Sequence, residues 1–326
     1  MQRLFTSINE SIADFKWQKL FHERWPAYKA WLDASVSEFN SNQSISALKI
    51  YMPELLPTYY HLCDLVRADE VAACFLTGFQ PPTYSSACSQ AVSTIETIQL
   101  VRNYDYHAER FEGVLLKTAW NGKSVIASSD CLMGVLDGMN EDGLALSLTY
   151  GGRKTVGFGF GVPFILRYIL EFCSTVAEGV SVLQNVPSHM SYNVTLVDKS
   201  GQVKTVQIAP DRNSVVTDAN FTTNHQGPIN WAKKKNLNRT ATRAIYLENI
   251  LKRGMSGDSL CNSFLHPPLY NQYYEQGLGT LYTAAYYPEL GAMQLLWPGE
   301  IMNQSFDDFT EEEKLITFHQ ALIHRH

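Results

Sequence analysis

Residues 87–106 read ACSQAVSTIETIQLVRNYDY. A small polar run, Tyr84-Ser85-Ser86-Ala87, leads into Cys88, and residues alternate from Ser89 to Val101 as in a strand and its hairpin return. Arg102-Asn103-Tyr104-Asp105 closes the return. A cysteine at the start of one strand and an Arg/Asp pair near the end of the next are expected to face each other across an antiparallel ladder. That places a thiol beside a cation and a carboxylate. A cation favours the thiolate, and the thiolate is the nucleophile. A cysteine alone is more often a small buried hydrophobe, so the weight of Cys88 depends on what surrounds it.

Upstream, residues 1–80 read as helical. Aromatics and Leu recur at three- and four-residue spacing in SIADFKWQKLFHERWPAYKAWLDASVSEF, with a break expected at Pro26, and again in SISALKIYMPELLPTYYHLCDLV and ADEVAACFLTGF. Downstream, the pattern turns to β. FEGVLLKTAW and KSVIASSD flank Asn121-Gly122, a strong hairpin signal. Asn140-Glu141-Asp142-Gly143 separates two more apolar strands, and Gly151-Gly152 ends the second and allows close backbone approach. PFILRYILEFC and VAEGVSVLQNVP read as helices, YNVTLVD and QVKTVQIAP as a hairpin, and SVVTDANFTTNHQ as one further strand. RTATRAIYLENILKRG reads as an amphipathic helix stopped by Gly254, residues 256–275 as a short helix and loop, and LGTLYTAAYYPELGAMQLLWPGE as a closing hairpin. Helices, strands, helices and strands follow one another without regular βαβ alternation. The fold class is therefore α+β, built of antiparallel sheets covered by helices.

The chain has 326 residues, 45% of them hydrophobic, and a net charge of −6, enough to bury a large core. Its densest basic run is Lys233-Lys234-Lys235, which argues against nucleic-acid binding. No apolar run approaches the roughly 18 residues a membrane span needs, and the N-terminus MQRLFTSINESIADFKW lacks the apolar centre of a signal peptide. A cytoplasmic location is expected. The six cysteines are scattered without a CxxC, and the nine histidines form no metal-binding spacing, so neither a disulfide framework nor a metal is expected.

Several segments taken together resemble one family. They are Cys88-Ser89, Arg102-Asn103-Tyr104-Asp105, Gly138-Met139-Asn140-Glu141-Asp142-Gly143-Leu144, Asn193–Gly201, Thr223-Asn224-His225 and Thr240–Arg243, in that order over roughly residues 84–300. The chain resembles the N-terminal-nucleophile amidases of the acyl-coenzyme A:isopenicillin N acyltransferase type, the peptidase C45 group, whose relatives include bile-salt hydrolases, penicillin V acylases and acid ceramidase. The resemblance implies a four-layer αββα sandwich. It also implies self-cleavage between Ala87 and Cys88, which would divide the chain into a helical segment 1–87 and a catalytic domain 88–326. The family more often has Gly before this cysteine and Thr after it, where this chain has Ala87 and Ser89.

On that resemblance Cys88 is the nucleophile, and its freed α-amine, titrating near pH ~8, is the base. Asp105 is expected to bond or orient that amine. Arg102 favours the thiolate or holds a substrate carboxylate. Asn224 is the oxyanion-hole amide, with the backbone N–H of Tyr150 as second donor. Arg243 is the family arginine, with Arg239 as its competitor. Asn103 and Asn193 are expected to be structural. The implied reaction is acyl transfer from a small acyl-amide substrate to water or another amine, with no cofactor, and self-association is left open. Two alternatives stand beside it. One is an uncut thiol hydrolase using His107 or His225 as base. The other is a non-catalytic scaffold binding an acylated small molecule, suggested by the absence of Gly-Cys-Thr.

Overall fold

The computed structural model describes residues 1–35, 41–84, 86–227 and 239–320. Lys233-Lys234-Lys235, Ser85 and the rest of residues 228–238 lie outside them. The first element corrects an expectation: residues Gln2–Asn9 form a strand, β1, not a helix. Phe5 and Ser7 point inward while Leu4 stays exposed, the period-two pattern of a half-buried strand. Helices α1 (Phe15–Asp33), α2 (Ser41–Tyr51), α3 (Leu56–Val66) and α4 (Glu70–Leu76) follow. Helix α1 runs through Pro26, where a break was expected. A proline removes one helical hydrogen bond and crowds the preceding turn. Here Trp17, Leu20 and Phe21 before it and Leu32 after it are buried, so packing on both sides keeps the axis continuous.

Next come β2 (Ala87–Ser93), β3 (Gln99–Tyr106), β4 (Val114–Thr118), β5 (Val125–Asp130), β6 (Gly134–Asn140) and β7 (Leu144–Tyr150). Helices α5 (Val162–Phe172) and α6 (Val176–Asn185) separate them from β8 (Tyr192–Asp198), β9 (Val203–Ala209), β10 (Arg212–Thr217) and β11 (Phe221–Thr222). The stretch read as one strand at 214–226 is thus two, and they enter different sheets. Helices α7 (Thr240–Lys252) and α8 (Gly257–Phe264) precede β12 (Gln272–Tyr273), β13 (Leu278–Tyr287), β14 (Ala292–Trp297), β15 (Glu300–Ser305) and β16 (Glu313–Thr317). The expected closing hairpin is β13–β14; β15 extends it, while β16 crosses to pair with β1 in the other sheet.

One sheet has nine strands in the order β10-β9-β8-β7-β6-β5-β4-β1-β16; the other runs β11-β2-β3-β13-β14-β15, with β12 on β13. β1 lies parallel to β4 and antiparallel to β16. The sheets pack face to face, through β2 on β7 and β13 on β6. Helices α5 and α6 cover the larger sheet, and α7 and α8 the smaller, which gives the αββα layering. Ile165, Leu166, Ile169 and Leu170 of α5 are all buried, and so are Arg167 and Glu171 of the same helix, which pair with each other at 3.2 Å. The thin layer between α7, α8 and the smaller sheet is its own cluster, around Leu247, Leu260, Phe264, Val101 and Ala285. Among the described residues, no helix is long and apolar enough to cross a membrane.

Helices α1–α4 share the principal core with both sheets. Trp17 is the anchor: its ring is buried, and its Nε1 donates to the Leu132 carbonyl at 2.9 Å, tying α1 to the β5–β6 turn. Replacing Trp17 with Ala removes both the buried ring and that bond. It is expected to lower the unfolding free energy by about 3–5 kcal/mol, measured by denaturant titration against the wild type.

Candidate active site

β2 and β3 pair in the register Cys88↔Tyr104, Gln90↔Arg102 and Ala87↔Asp105. Directly opposed residues share a face, and neighbours along a strand alternate. Cys88, Gln90, Arg102 and Tyr104 therefore lie on the face toward the larger sheet, where Gln90 meets Ser147 and Thr195. Ser89, Asn103 and Asp105 lie on the face toward α7 and α8, where Asn103 donates to the Phe264 carbonyl. This corrects the expected meeting of Arg102 and Asp105 at one thiol. The strand period sends them to opposite sides of the sheet.

The inner side of the site is held by Arg102. Its Nη2 lies 3.4 Å from Cys88 Sγ, and its Nε donates to the Leu148 carbonyl at 3.1 Å. Its Nη1 bonds Asp137 of β6 and the Tyr282 hydroxyl. Asp137 also accepts from Ser128, Tyr282 and Tyr286, at 2.6 to 2.8 Å. Asp137 was not among the residues picked from the sequence, although an acid inside the apolar strand GVLDGMN is a readable signal. Burial raises the Cys88 thiol above its ordinary pKa, opposed by Arg102 and reinforced by Asp105. In the intact chain the thiol is thus neutral at pH 7.

The outer side is held by Arg243, which is fully buried. Its Nη1 donates to the Cys88 carbonyl and to Ser89 Oγ, and its Nη2 to Asn224 Oδ1 at 2.7 Å. The competitor Arg239 lies elsewhere, donating to the Tyr273 hydroxyl. Asp105 sits behind Arg243, with Oδ2 at 3.8 Å from Nη1 and Oδ1 accepting from Thr280 at 2.7 Å. Burial pushes its carboxyl up to about 6, against the pull of Arg243. Asp105 therefore reaches Cys88 through Arg243 and does not bond the Cys88 nitrogen.

That nitrogen belongs to Asn224, whose Oδ1 accepts from Cys88 N–H at 2.9 Å. Asn224 Nδ2 donates to the Tyr150 carbonyl at 3.2 Å and approaches the Ser86 carbonyl at 3.5 Å. The contact from Tyr150 to Asn224 is thus its carbonyl, and its hydroxyl donates to the Arg153 carbonyl. Two features press Asn224 into place. At Gly152, with φ +75°, a Cβ would stand 2.5 Å from the Asn224 carbonyl, so only glycine admits this approach. Asn193 Nδ2 donates to the carbonyls of Thr223 and His225, on either side of Asn224. Asn193 is therefore more than a strand asparagine. His225 Nδ1 pairs with Thr223 Oγ1 at 3.1 Å, whereas the polar neighbours of Cys88 Sγ are Ser86 Oγ and Arg102. Ser86, buried at 3.7 Å from the thiol, is a further residue that the sequence reading passed over.

Removing the counter-charge of Arg102 leaves a guanidinium stranded between two sheets. Asp137→Ala is expected to cost about 3–5 kcal/mol of unfolding free energy, read by denaturant titration, well beyond the effect of a neutral buried polar loss.

Residues 94–301, more than half of the chain and beginning just after Cys88, match the family described as acyl-coenzyme A:6-aminopenicillanic acid acyl-transferase. A search among curated proteins returned no match. Among solved structures, a mutant conjugated bile acid hydrolase from Clostridium perfringens is similar at 13% identity and TM-score 0.47, covering 74% of this chain and 100% of its own. A Caenorhabditis elegans ortholog of N-acylethanolamine-hydrolyzing acid amidase is similar at 17% identity and TM-score 0.45, over 63% and 93%. Penicillin V acylase from Agrobacterium tumefaciens is similar at 14% identity and TM-score 0.43, over 70% and 90%. On the match over residues 94–301, the chain belongs to the acyl-coenzyme A:6-aminopenicillanic acid acyl-transferase family and is an enzyme of acyl transfer or hydrolysis at the C–N bond of linear amides.

Proposed function

We propose that the chain is a self-processing cysteine amidase or acyltransferase in which Cys88 is freed by cleavage of the Ala87–Cys88 bond and then carries the acyl group. One observation carries this reading. The nitrogen, the sulfur and the carbonyl oxygen of Cys88 are each bound by a different buried side chain, namely Asn224, Arg102 and Arg243. A merely structural thiol needs none of these, and burying two guanidinium groups around it costs free energy.

In the processing step, the thiol attacks the Ala87 carbonyl carbon. Its proton passes to the Cys88 nitrogen as the C–N bond breaks, and water hydrolyses the resulting thioester. The products are a carboxylate on Ala87 and a free α-amine on Cys88. Segment 1–87 then remains with domain 88–326, because β1 is seated between β4 and β16. Processing also answers an access problem: Cys88 is fully buried in the intact chain, behind the buried residues Ser86 and Ala87.

In turnover, the α-amine takes the thiol proton while Sγ attacks the carbonyl of a small acyl-amide substrate. Asn224 Oδ1, already the acceptor for this nitrogen, keeps the amine oriented. Once Ser86 has withdrawn, Asn224 Nδ2 faces the incoming oxyanion, with the Tyr150 N–H as second donor; each such donor contributes roughly 3 kcal/mol. The leaving amine takes its proton from the Cys88 ammonium. Water or another amine then accepts the acyl group. Asp105 is a positioning residue, fixing Arg243 and through it Asn224. Use of His225 as base is disfavoured by its bond to Thr223.

Intact mass under denaturing conditions tests the processing. The wild type is expected to give two fragments divided at Ala87–Cys88, and Cys88→Ala a single uncut chain; an uncut, active wild type contradicts the reading. A second expectation concerns pH. Protonating Asp105 removes the charge behind Arg243, so amidase activity should fall as pH drops through about 6. Asp105→Asn should be slower above about pH 6, approach the wild type below it, and lack that inflection in its pH–rate profile.

A further inference from the structure

A cavity of 480 Å³ opens between α1 and the ends of β3 and β5. Six aromatic side chains line it: Tyr28, Trp31, Tyr84, Tyr104, Tyr106 and Phe111. It adjoins the candidate site by construction. Tyr104 is the direct cross-strand partner of Cys88 and shares its face. Its ring lies 4.8 Å from the Arg102 guanidinium carbon, and Tyr106 stacks on it at 5.5 Å. Tyr84 stands four residues ahead of Cys88, near the end of the segment that processing would cut from the domain and leave seated on it.

Two carboxyl groups lie among these rings, Glu112 and Asp130, which are 4% and 8% exposed. Glu112 Oε1 accepts from the Tyr28 hydroxyl and the Leu132 N–H, both at 2.6 Å, while Oε2 has no hydrogen-bond partner among the described residues. Asp130 accepts a weak bond from the Cys131 thiol at 3.7 Å and a backbone bond from the same residue, and it feels the charge of Arg102. Burial, reinforced by the neighbouring Glu112, pushes its carboxyl up to about 7. Arg24, also lining the cavity, gives its Nη2 to the Glu112 main-chain oxygen and not to either carboxylate. Arg110 lies beside Tyr106, and Glu109 pairs with Arg3. Among the described residues neither buried acid is hydrogen-bonded to a cation; Arg102 and Arg167 act on Asp130 and Glu112 only through space, and the acids sit inside an aromatic box. Ring faces and a nearby carboxylate are what recognise an ammonium ion.

We propose that this cavity is a specificity pocket that holds an ammonium group borne by the acyl-amide substrate, with Asp130 and Glu112 as counter-charge and the rings of α1 and β3 as its walls. As a substrate pocket it rests on the reaction proposed above. It also assigns a role to α1, which lies outside the matched residues 94–301: Tyr28 and Trp31 make segment 1–87 part of substrate choice.

The test is calorimetric titration of the full chain with phenethylammonium and with its uncharged counterpart, 2-phenylethanol. One-to-one binding is expected, with the cation about five- to tenfold tighter. Asp130→Asn should abolish the preference while leaving 2-phenylethanol binding unchanged. Ala30→Trp, an exposed position on α1 at the cavity lining, should block both ligands without disturbing the fold, which guards against a misfolded Asp130 variant. Equal affinity for the two ligands in the wild type overturns the charge assignment. Absence of one-to-one binding, or binding unaffected by Ala30→Trp, overturns the pocket. Turnover plays no part in the measurement, so a failure of processing at Cys88 and a failure of this pocket are read separately.

Discussion

A guanidinium ion between two β-sheets has to be paired, and the pairing of Arg102 with Asp137 organises the interior of this protein. The strand period sends Arg102 into the gap beside Cys88, where it is fully buried. Asp137 reaches it from β6 of the opposing sheet, supported by Ser128, Tyr282 and Tyr286. The network joins the two sheets, beside a second polar link from Gln90 to Ser147 and Thr195. Such a buried pair contributes little net stability over a well-packed hydrophobic isostere. Its retention beside a thiol is therefore better explained by the charge it presents to sulfur than by the energy it adds to the fold.

The second guanidinium, Arg243, answers a different geometric need. It comes from the first turn of α7, outside the smaller sheet, and bridges the Cys88 carbonyl, Ser89 and Asn224. Asn224 in turn reaches past the end of β7, where Gly152 leaves room and Asn193 secures both neighbouring carbonyls. Cys88 is thus gripped from both faces of one sheet and from the edge beside β11. The same grip leaves the thiol inaccessible while residues 86 and 87 are attached. In the processing proposed above, cutting the Ala87–Cys88 bond would convert a packed strand into a strand end, and the amide nitrogen held by Asn224 would become an amine in place.

Much of this was legible in the sequence. The hairpin of β2 and β3, the turns at Asn121-Gly122 and Asn140–Gly143, and helices α5, α6 and α7 follow from periodicity and turn chemistry. The choice of Arg243 over Arg239 came from a loose motif, and the structure separates the two by placing one under Cys88 and the other on Tyr273. What local pattern could not supply was tertiary. The strand β1 is stabilised by β4 and β16, more than a hundred residues away in sequence. Helix α1 survives Pro26 because both halves are packed. The division of SVVTDANFTTNHQ between two sheets depends on a partner strand, β2, that the segment itself does not specify. The placing of Arg102 and Asp105 on opposite faces was readable from their odd spacing, but only once their strand was taken as extending to Tyr106.

The central claim is that Cys88 bears the acyl group, and the most direct measurement is to trap it there. Active protein is incubated with a slowly turned-over acyl amide, quenched in acid, digested and mapped by mass spectrometry. The account predicts an acyl mass on the sulfur of Cys88, in a peptide that begins with that residue. An adduct on another side chain, such as the pocket-lining Cys131, or an acylated Cys88 still joined to Ala87, would contradict it.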